Sequence, residues 1–533
     1  MGTAHPPGRY SWRWFALALL LGLAAAQARA DDDPPGRVGR LAQTTGIVRS
    51  FDGDAGWVEA DRNAPLSTGD RVATDRAGSA VLQIGSTSVR LGADTLLIVA
   101  RLDDERVRLR LDHGAMTMNL RAPEVAGEFA VETVDGFFVP REPSFLHVVV
   151  EAGHTLAAVW SGRVEFEGRD ATEMNVIAGQ RAEIWREGAK EVTHYRWAAM
   201  PVDSFAKGAQ AAERQDDRAA GAGSLPPEMT GSAELDRYGR WTTAGEYGTA
   251  WVPTVAVGWA PYRDGHWAWV PPWGWTWVDN APWGFAPFHY GRWCWWQGRW
   301  AWVPGVYIAR PSFAPALVGW IGGPGFGVAI GATAPAVGWV PLAPHEPFFP
   351  GFAVSPRYWS RINGSVAYPP QVRPGSAEAP RVVPTGPVAY ANRAVGGAVT
   401  VLPADALVPG QRVAAVPRMA THGALVTSVS AGRAQMAPPP PPPAGRGALS
   451  RGAPVVEVGG PLPRVAPAVP AVPAVAPRAP AAAPAEAGRR RAAPVMGGQP
   501  QPARPESPRE QPREQPREQP REQPREQPRE QPR

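Results

Sequence analysis

The chain has 533 residues, enough for two or three domains, but Pro 62 and Gly 58 together exceed a fifth of it and both crowd toward the C-terminus. Its net charge of +5 is unevenly laid out, with −8 over residues 31–200 and +10 over residues 371–533. A nucleic-acid-binding domain carries its basic excess on a folded face; here the excess lies in a Pro-rich tail, which argues against nucleic acid as a partner.

Arg9 and Arg13 precede an apolar run from Phe15 to Ala26, and Ala28-Arg29-Ala30 has the form of a signal-peptidase site. The run is too short to span a bilayer comfortably. Residues 1–30 therefore read as a leader cleaved after Ala30. The mature chain is expected to be periplasmic or secreted, with no transmembrane segment. The lone Cys294 offers neither a lipid anchor at the cleavage point nor an intramolecular disulfide.

Residues 38–190 read as short strands between turn signals. Val107, Leu109 and Leu111 alternate with arginines, and Met116, Met118 and Leu120 alternate with polar residues. Asp112-His113-Gly114 between them predicts a hairpin turn. Ala80, Leu82 and Ile84 lead into a Gly85-Ser86 turn, and Val159 to Phe166 repeats the scheme. The pattern predicts an all-β unit of roughly ten strands, a β-sandwich or stacked β-roll. Asp70 and Asp75 could form a carboxylate pair, but their settings, Gly69-Asp70 and Thr74-Asp75, read as self-capping turns.

Pro65-Leu66-x-Thr68-Gly69-Asp70-Arg71-Val72-x-Thr74-Asp75, with Gly78-Ser79-Ala80, Leu91 and Ala178-Gly179-Gln180, resembles the FecR domain family. The resemblance covers about 150 residues and implies a bacterial periplasmic β module. The family is best known in inner-membrane anti-sigma regulators that relay a siderophore-receptor signal. The cytoplasmic helical segment and transmembrane helix of those regulators have no counterpart in the reading above, so the module alone carries over.

Residues 191–232 read as a connector. Asp203 to Ala220 predicts a solvent-exposed helix capped by Asp203 or Ser204, and Gly221 to Pro227 breaks it into a flexible linker.

Residues 233–416 form a Trp-rich unit: fourteen of the 23 Trp lie between Tyr238 and Gly305. Laid against itself at an offset of 26, the stretch repeats. Gly239-x-Trp241, Gly265-x-Trp267 and Gly291-x-Trp293 align, followed by Trp251-Val252-Pro253, Trp277-Val278-Asp279 and Trp302-Val303-Pro304. Gly258-Trp-Ala-Pro-Tyr262 matches Gly284-Phe-Ala-Pro-Phe288, and Gly338-Trp339-Val-Pro341 echoes the motif. About three copies of a β-hairpin unit follow, each too small to bury its own core and each supported by the others. Trp241, Trp267 and Trp293 should share one role.

Large aromatics supply such units with a core, yet fourteen exceed what short hairpins are expected to enclose. Trp241, Trp267, Trp269, Trp275, Trp293 and Trp295, with Arg263 and Arg292, are therefore candidate ligand contacts for sugars, aromatic groups or Pro-rich peptide. His266, His289, His345 and Cys294 lack metal-ligand spacing. Glu246, Asp264 and Asp279 fit turn or surface duty better than glycosidase chemistry. No catalytic residue, metal or other cofactor is expected.

Met229-Thr-Gly231, Leu235-Asp-Arg-Tyr238-Gly-Arg-Trp241, Gly258 to Tyr262, Pro282-Trp283-Gly284, Pro287 to Trp293 and Gly338 to Leu342 resemble an uncharacterised Trp-rich domain family of secreted bacterial proteins. Val399 to Pro403 and Gly410 to Val413 resemble its far end. That resemblance implies an architecture and no activity.

From residue 417 the chain is Pro- and Ala-rich, with six consecutive prolines at Pro438–Pro443 and a Pro-Arg-Glu-Gln repeat from Pro508. Proline at this density forbids helix and little apolar material remains to bury, which predicts a disordered, polyproline-like spacer. The whole reads as a non-enzymatic binding or scaffold protein of the cell envelope, contacting a cell-wall glycan or an envelope protein. An envelope-signalling accessory is the alternative, and a glycan hydrolase the last.

Overall fold

A computed structural model of the chain describes residues 33–52, 56–188, 191–200, 203–219, 225–322, 336–352, 354–366, 372–373, 383–384, 390–416 and 439. The expected leader, and the tail apart from Pro439, lie outside the described residues.

The N-terminal unit is all β, with seventeen strands from Gly39 to Ala198 in two layers. In one layer the order is Pro65–Leu66, Gly39–Thr45, Ser79–Ile84, Thr87–Leu91, the C-terminal half of Val107–Leu120, Ser144–Glu151, His154–Ser161, Gln180–Glu187 and Val192–Ala198. The other layer runs Gly56–Glu59, Val48–Asp52, Arg71–Thr74, Leu96–Leu102, then the N-terminal half of Val107–Leu120. Phe129–Glu132, Gly136–Pro140, Arg163–Gly168 and Glu173–Ile177 complete it. The chain crosses repeatedly between layers, and alternate residues such as Leu82, Leu109, Met118, Phe138 and Phe166 fill the space between them.

The expected hairpin at Asp112-His113-Gly114 is corrected: Val107–Leu120 is a single 14-residue strand. Gly114 sits at φ +92 and is a corner, letting one strand leave the second layer and enter the first. Gly162, at φ +76, likewise passes the chain from His154–Ser161 in one layer to Arg163–Gly168 in the other. At either position a β-carbon would run into backbone or side chain, Thr95 at Gly114 and Pro143 and Ser144 at Gly162. Gly162→Val should therefore cost at least ~2 kcal/mol through left-handed strain and overpacking, measurable as a lowered midpoint in urea. The Gly85-Ser86 turn forms as expected between Ser79–Ile84 and Thr87–Leu91.

The connector helix exists, Ser204–Ala219, with Asp203 accepting from the Ala206 N–H at 3.0 Å as its N-cap. It is not solvent-exposed all round. Ala206, Ala209 and Glu213 are buried, and the Glu213 carboxylate accepts from Ser88 Oγ at 2.7 Å, Arg90 Nε at 2.5 Å, Asn119 Nδ2 at 3.1 Å and the Arg121 guanidinium. Those partners all project from the first layer, so the helix is strapped across it.

Among the described residues the Trp-rich region holds four hairpins that carry the Trp pattern, where the repeat predicts about three. They are Gly239–Thr243 with Thr249–Pro253, Gly265–Val270 with Gly274–Asp279, Arg292–Trp296 with Arg299–Val303, and Val318–Gly322 with Ala336–Pro341. The first and third join into one four-stranded sheet, and Thr400–Pro403 adds a third strand to the fourth.

Candidate contact surface

Each hairpin places one Trp directly opposite another: Trp241 with Trp251, Trp267 with Trp277, Trp293 with Trp302, Trp320 with Trp339. Trp241, Trp267 and Trp293 thus do share a position, and opposed aromatic pairs are what stabilise short antiparallel ladders. The hairpins then pack alternately. Trp267 lies against Trp320 at 4.6 Å and Trp339 at 5.3 Å between ring centroids, which locks the second hairpin to the fourth. Trp241 reaches Trp302 across the sheet that joins the first and third.

Even the inter-hairpin loops answer one another. Tyr262 and Phe288, equivalent in the repeat, meet edge to face at 4.9 Å, and the Tyr262 hydroxyl donates to the Phe288 carbonyl at 2.9 Å. Several indole N–H groups are spent on the backbone: Trp251 donates to Leu235 O, Trp293 to Pro287 O, Trp302 to Tyr290 O and Trp339 to Tyr262 O, all within 2.8–2.9 Å, whereas Trp267 is enclosed by rings alone. Buried indoles with satisfied N–H groups are core.

This corrects four candidate contacts. Trp267, Trp275 and Trp293 are buried to 1%, 5% and 1% exposure, enclosed by neighbouring hairpins that the repeat length alone does not arrange. Arg292 is buried too. Its guanidinium donates to Glu346 O at 2.8 Å, Gly291 O at 2.7 Å and Asn363 Oδ1 at 3.1 Å, and burial pushes its pKa down to about 10. Arg263 is half-buried and reaches the far strand, donating to Val399 O and Thr400 Oγ1 at 3.4 Å. Trp241 and Trp269 are half-buried.

Trp295 remains. It is 45% exposed, the one indole between Tyr238 and Gly305 left open to solvent. Its ring meets the buried Trp300 edge to face at 5.6 Å. The Gln297-Gly298 turn, both residues at positive φ, closes the hairpin tightly. On the other face Trp296 lies over Gly245 of the first hairpin, where a β-carbon would come within 2.9 Å of the ring. Glu246 and Arg299 are exposed at the same tips. The arrangement is a rigid aromatic held on a buried base, while Arg299, opposite Trp296 in the ladder, belongs to the other face.

The carboxylates have local duties. Asp70 accepts from the Ser67 N–H at 2.6 Å and Asp75 from the Ala77 N–H at 3.1 Å. Asp264 accepts from Asn280 Nδ2 at 2.8 Å. Asp279 is fully enclosed, and burial lifts its carboxyl to about 8 although Ala281 N and Trp277 Nε1 donate to it. His289 is equally enclosed, and burial lowers its pKa to about 3.

The two groups pull in opposite directions with pH. Stability from His289 is complete above its ordinary value of 6.5 and is lost as pH falls toward 3. Stability from protonated Asp279 is complete below its ordinary 3.8 and is lost as pH rises toward 8. Between 6.5 and 8 only Asp279 of this pair is still changing. Thermal melts should show the wild type losing stability across that window more steeply than Asp279→Asn.

The two units are one structure at their junction. Arg40, fully buried, pairs with Glu234, donates to Gln83 Oε1 at 2.8 Å and to Asn63 Oδ1 at 3.1 Å, and lies over the Phe285 ring. Asn63 in turn donates to Asp279 O at 2.9 Å and Ala281 O at 2.8 Å. Thr230 Oγ donates to Val38 O and accepts from the Gly85 N–H. Arg40, Asn63, Gln83 and Glu234 carry no signal in the sequence that marks them as this junction.

Comparison with known proteins bears on this segment. A family described as "Family of unknown function (DUF6600)" matches residues 232–346. The matched residues contain all four hairpins and stop before the Thr400–Pro403 strand that completes the last of them. No curated protein matches the chain. Two crystal structures of a candidate anti-sigma factor from Parabacteroides distasonis ATCC 8503, at 1.65 and 2.50 Å resolution, are similar over part of it. Each is 14% identical with a TM-score of 0.20, covering 24% of this chain and 58% of its own. The chain thus spans little more than half the length of that protein.

Proposed function

We propose that this is a non-enzymatic binding protein of the bacterial envelope, and that the hairpin tip from Trp295 to Arg299 is its contact surface. One observation supports the surface: thirteen of the fourteen clustered indoles are wholly or partly enclosed, and Trp295 alone is held outward on a buried base. An exposed, rigidly held indole stacks on sugars or aromatic groups at small entropic cost. The leader-like residues 1–30 and the FecR-like residues Pro65 to Ala80 and Ala178 to Gln180 support the envelope setting. A cell-wall glycan is the ligand class that best suits a flat ring of this kind.

The test is sedimentation of the full chain with purified peptidoglycan. Wild type should pellet, and Trp295→Ala with Arg299→Ala should stay in the supernatant while melting as wild type does. Pelleting by the double variant would remove the surface from the proposal. The FecR-like residues favour a second reading, an envelope-signalling accessory, which gains if the wild type ignores the wall and instead co-purifies with a membrane-bound regulator.

A further inference from the structure

Among the described residues, Val192–Ala198 pairs with Gln180–Glu187 and with no other strand, so it forms an open edge. Tyr195 stands opposite Ile184 and Trp197 opposite Ala182, and both partners are core residues. The core face therefore continues past the edge of the sheet, but there it is uncovered: Tyr195 is 45% and Trp197 49% exposed. Their rings meet edge to face at 5.9 Å and 73°, which makes a right-angled aromatic notch. Two large, adjacent, uncovered aromatics on a sheet edge are a docking surface rather than ordinary scatter.

We infer that this notch receives the chain's own proline run, Pro438–Pro443. Proline has no N–H to extend a ladder, so the run cannot add as a strand. Its fixed φ holds it in the extended helix whose rings pack into aromatic-lined grooves. Before Pro439 the described residues run to Val416, and the 21 residues 417–437 would reach about 65 Å when extended, against a diameter of about 55 Å for a compact body of this size. The run can thus arrive over most of the surface, at the high local concentration of a tethered ligand.

Charge favours the N-terminal unit as its destination. Residues 417–456 carry Arg418, Arg433, Arg446 and Arg451 with no acidic residue, whereas residues 31–200 carry a net −8. The arginines flanking the run, Arg433 and Arg446, are set to meet that field while the prolines occupy the rings.

Photo-crosslinking of the full-length protein tests this. With p-benzoylphenylalanine in place of the exposed Ala199, irradiation should join position 199 to the tryptic peptide 434–446 within one chain. Yield should fall about tenfold in Trp197→Ala, the factor produced by losing 1.4 kcal/mol, and should recover in Trp197→Tyr. Pro440→Gly with Pro442→Gly, which leaves the folded body untouched, should lower it equally. Three results overturn the inference: crosslinked dimers joined strand to strand, capture of another segment, or a yield indifferent to Trp197 and to the prolines.

Discussion

Trp267→Ala is expected to unfold the Trp-rich region at temperatures where Trp295→Ala leaves it intact. Trp267 touches Trp277, Trp320 and Trp339, so its removal opens a cavity between the second and fourth hairpins. A core Trp truncated to Ala costs ~3–5 kcal/mol, comparable to the whole stability of a small domain. Trp295 loses only one buried contact, and a half-exposed ring is worth ~1 kcal/mol or less beyond its area. Differential scanning calorimetry of both variants checks the contrast. Equal losses would mean that the repeated indoles are not divided between core and surface as described.

Arg40→Ala should uncouple the two units. The guanidinium is the buried hub that links Gln83 and Asn63 of the first unit to Glu234 and Phe285 of the second. Removing one partner of a buried ion pair costs ~3–5 kcal/mol because the remaining charge is left without compensation. Wild type should melt in one transition and Arg40→Ala in two, with the Trp-rich region unfolding first. A single transition at an unchanged temperature would show that the junction carries no coupling.

The parts of this fold legible in the sequence are those set by local periodicity. Alternation gave the strands flanking Gly85-Ser86, and the 26-residue offset aligned the Trp pairs that stand opposite one another. Gly114 announced a change of direction, but a glycine at positive φ serves a turn or a corner equally, and only the partners of Val107–Leu120 decide between them. The fourth hairpin was half visible: Gly338 to Pro341 echoes the repeat, while its partner Val318–Gly322 keeps only Trp320 of the pattern.

The surface was the least legible part. Trp293 and Trp295 differ by two residues, share Cys294 as a neighbour and sit on the same face of one strand. Their opposite fates, 1% and 45% exposed, depend on which neighbour reaches over the hairpin. Arg292 reads as a flank of the site for the same reason, and its carbonyl partner Glu346 belongs to a loop with no periodic signal. Tyr195 and Trp197 occupy a strand whose alternation resembles that of a covered one.

Residue-resolved oxidative footprinting of the full-length protein tests the central claim most directly, because it ranks every Trp by solvent contact in a single experiment. Trp295 and Trp197 should be modified fastest, and Trp251, Trp267, Trp277, Trp293, Trp302 and Trp339 should stay protected until the protein unfolds. Modification of Trp267 or Trp293 at the rate of Trp295 would contradict the account, since the repeated tryptophans would then form an exposed row and not a core.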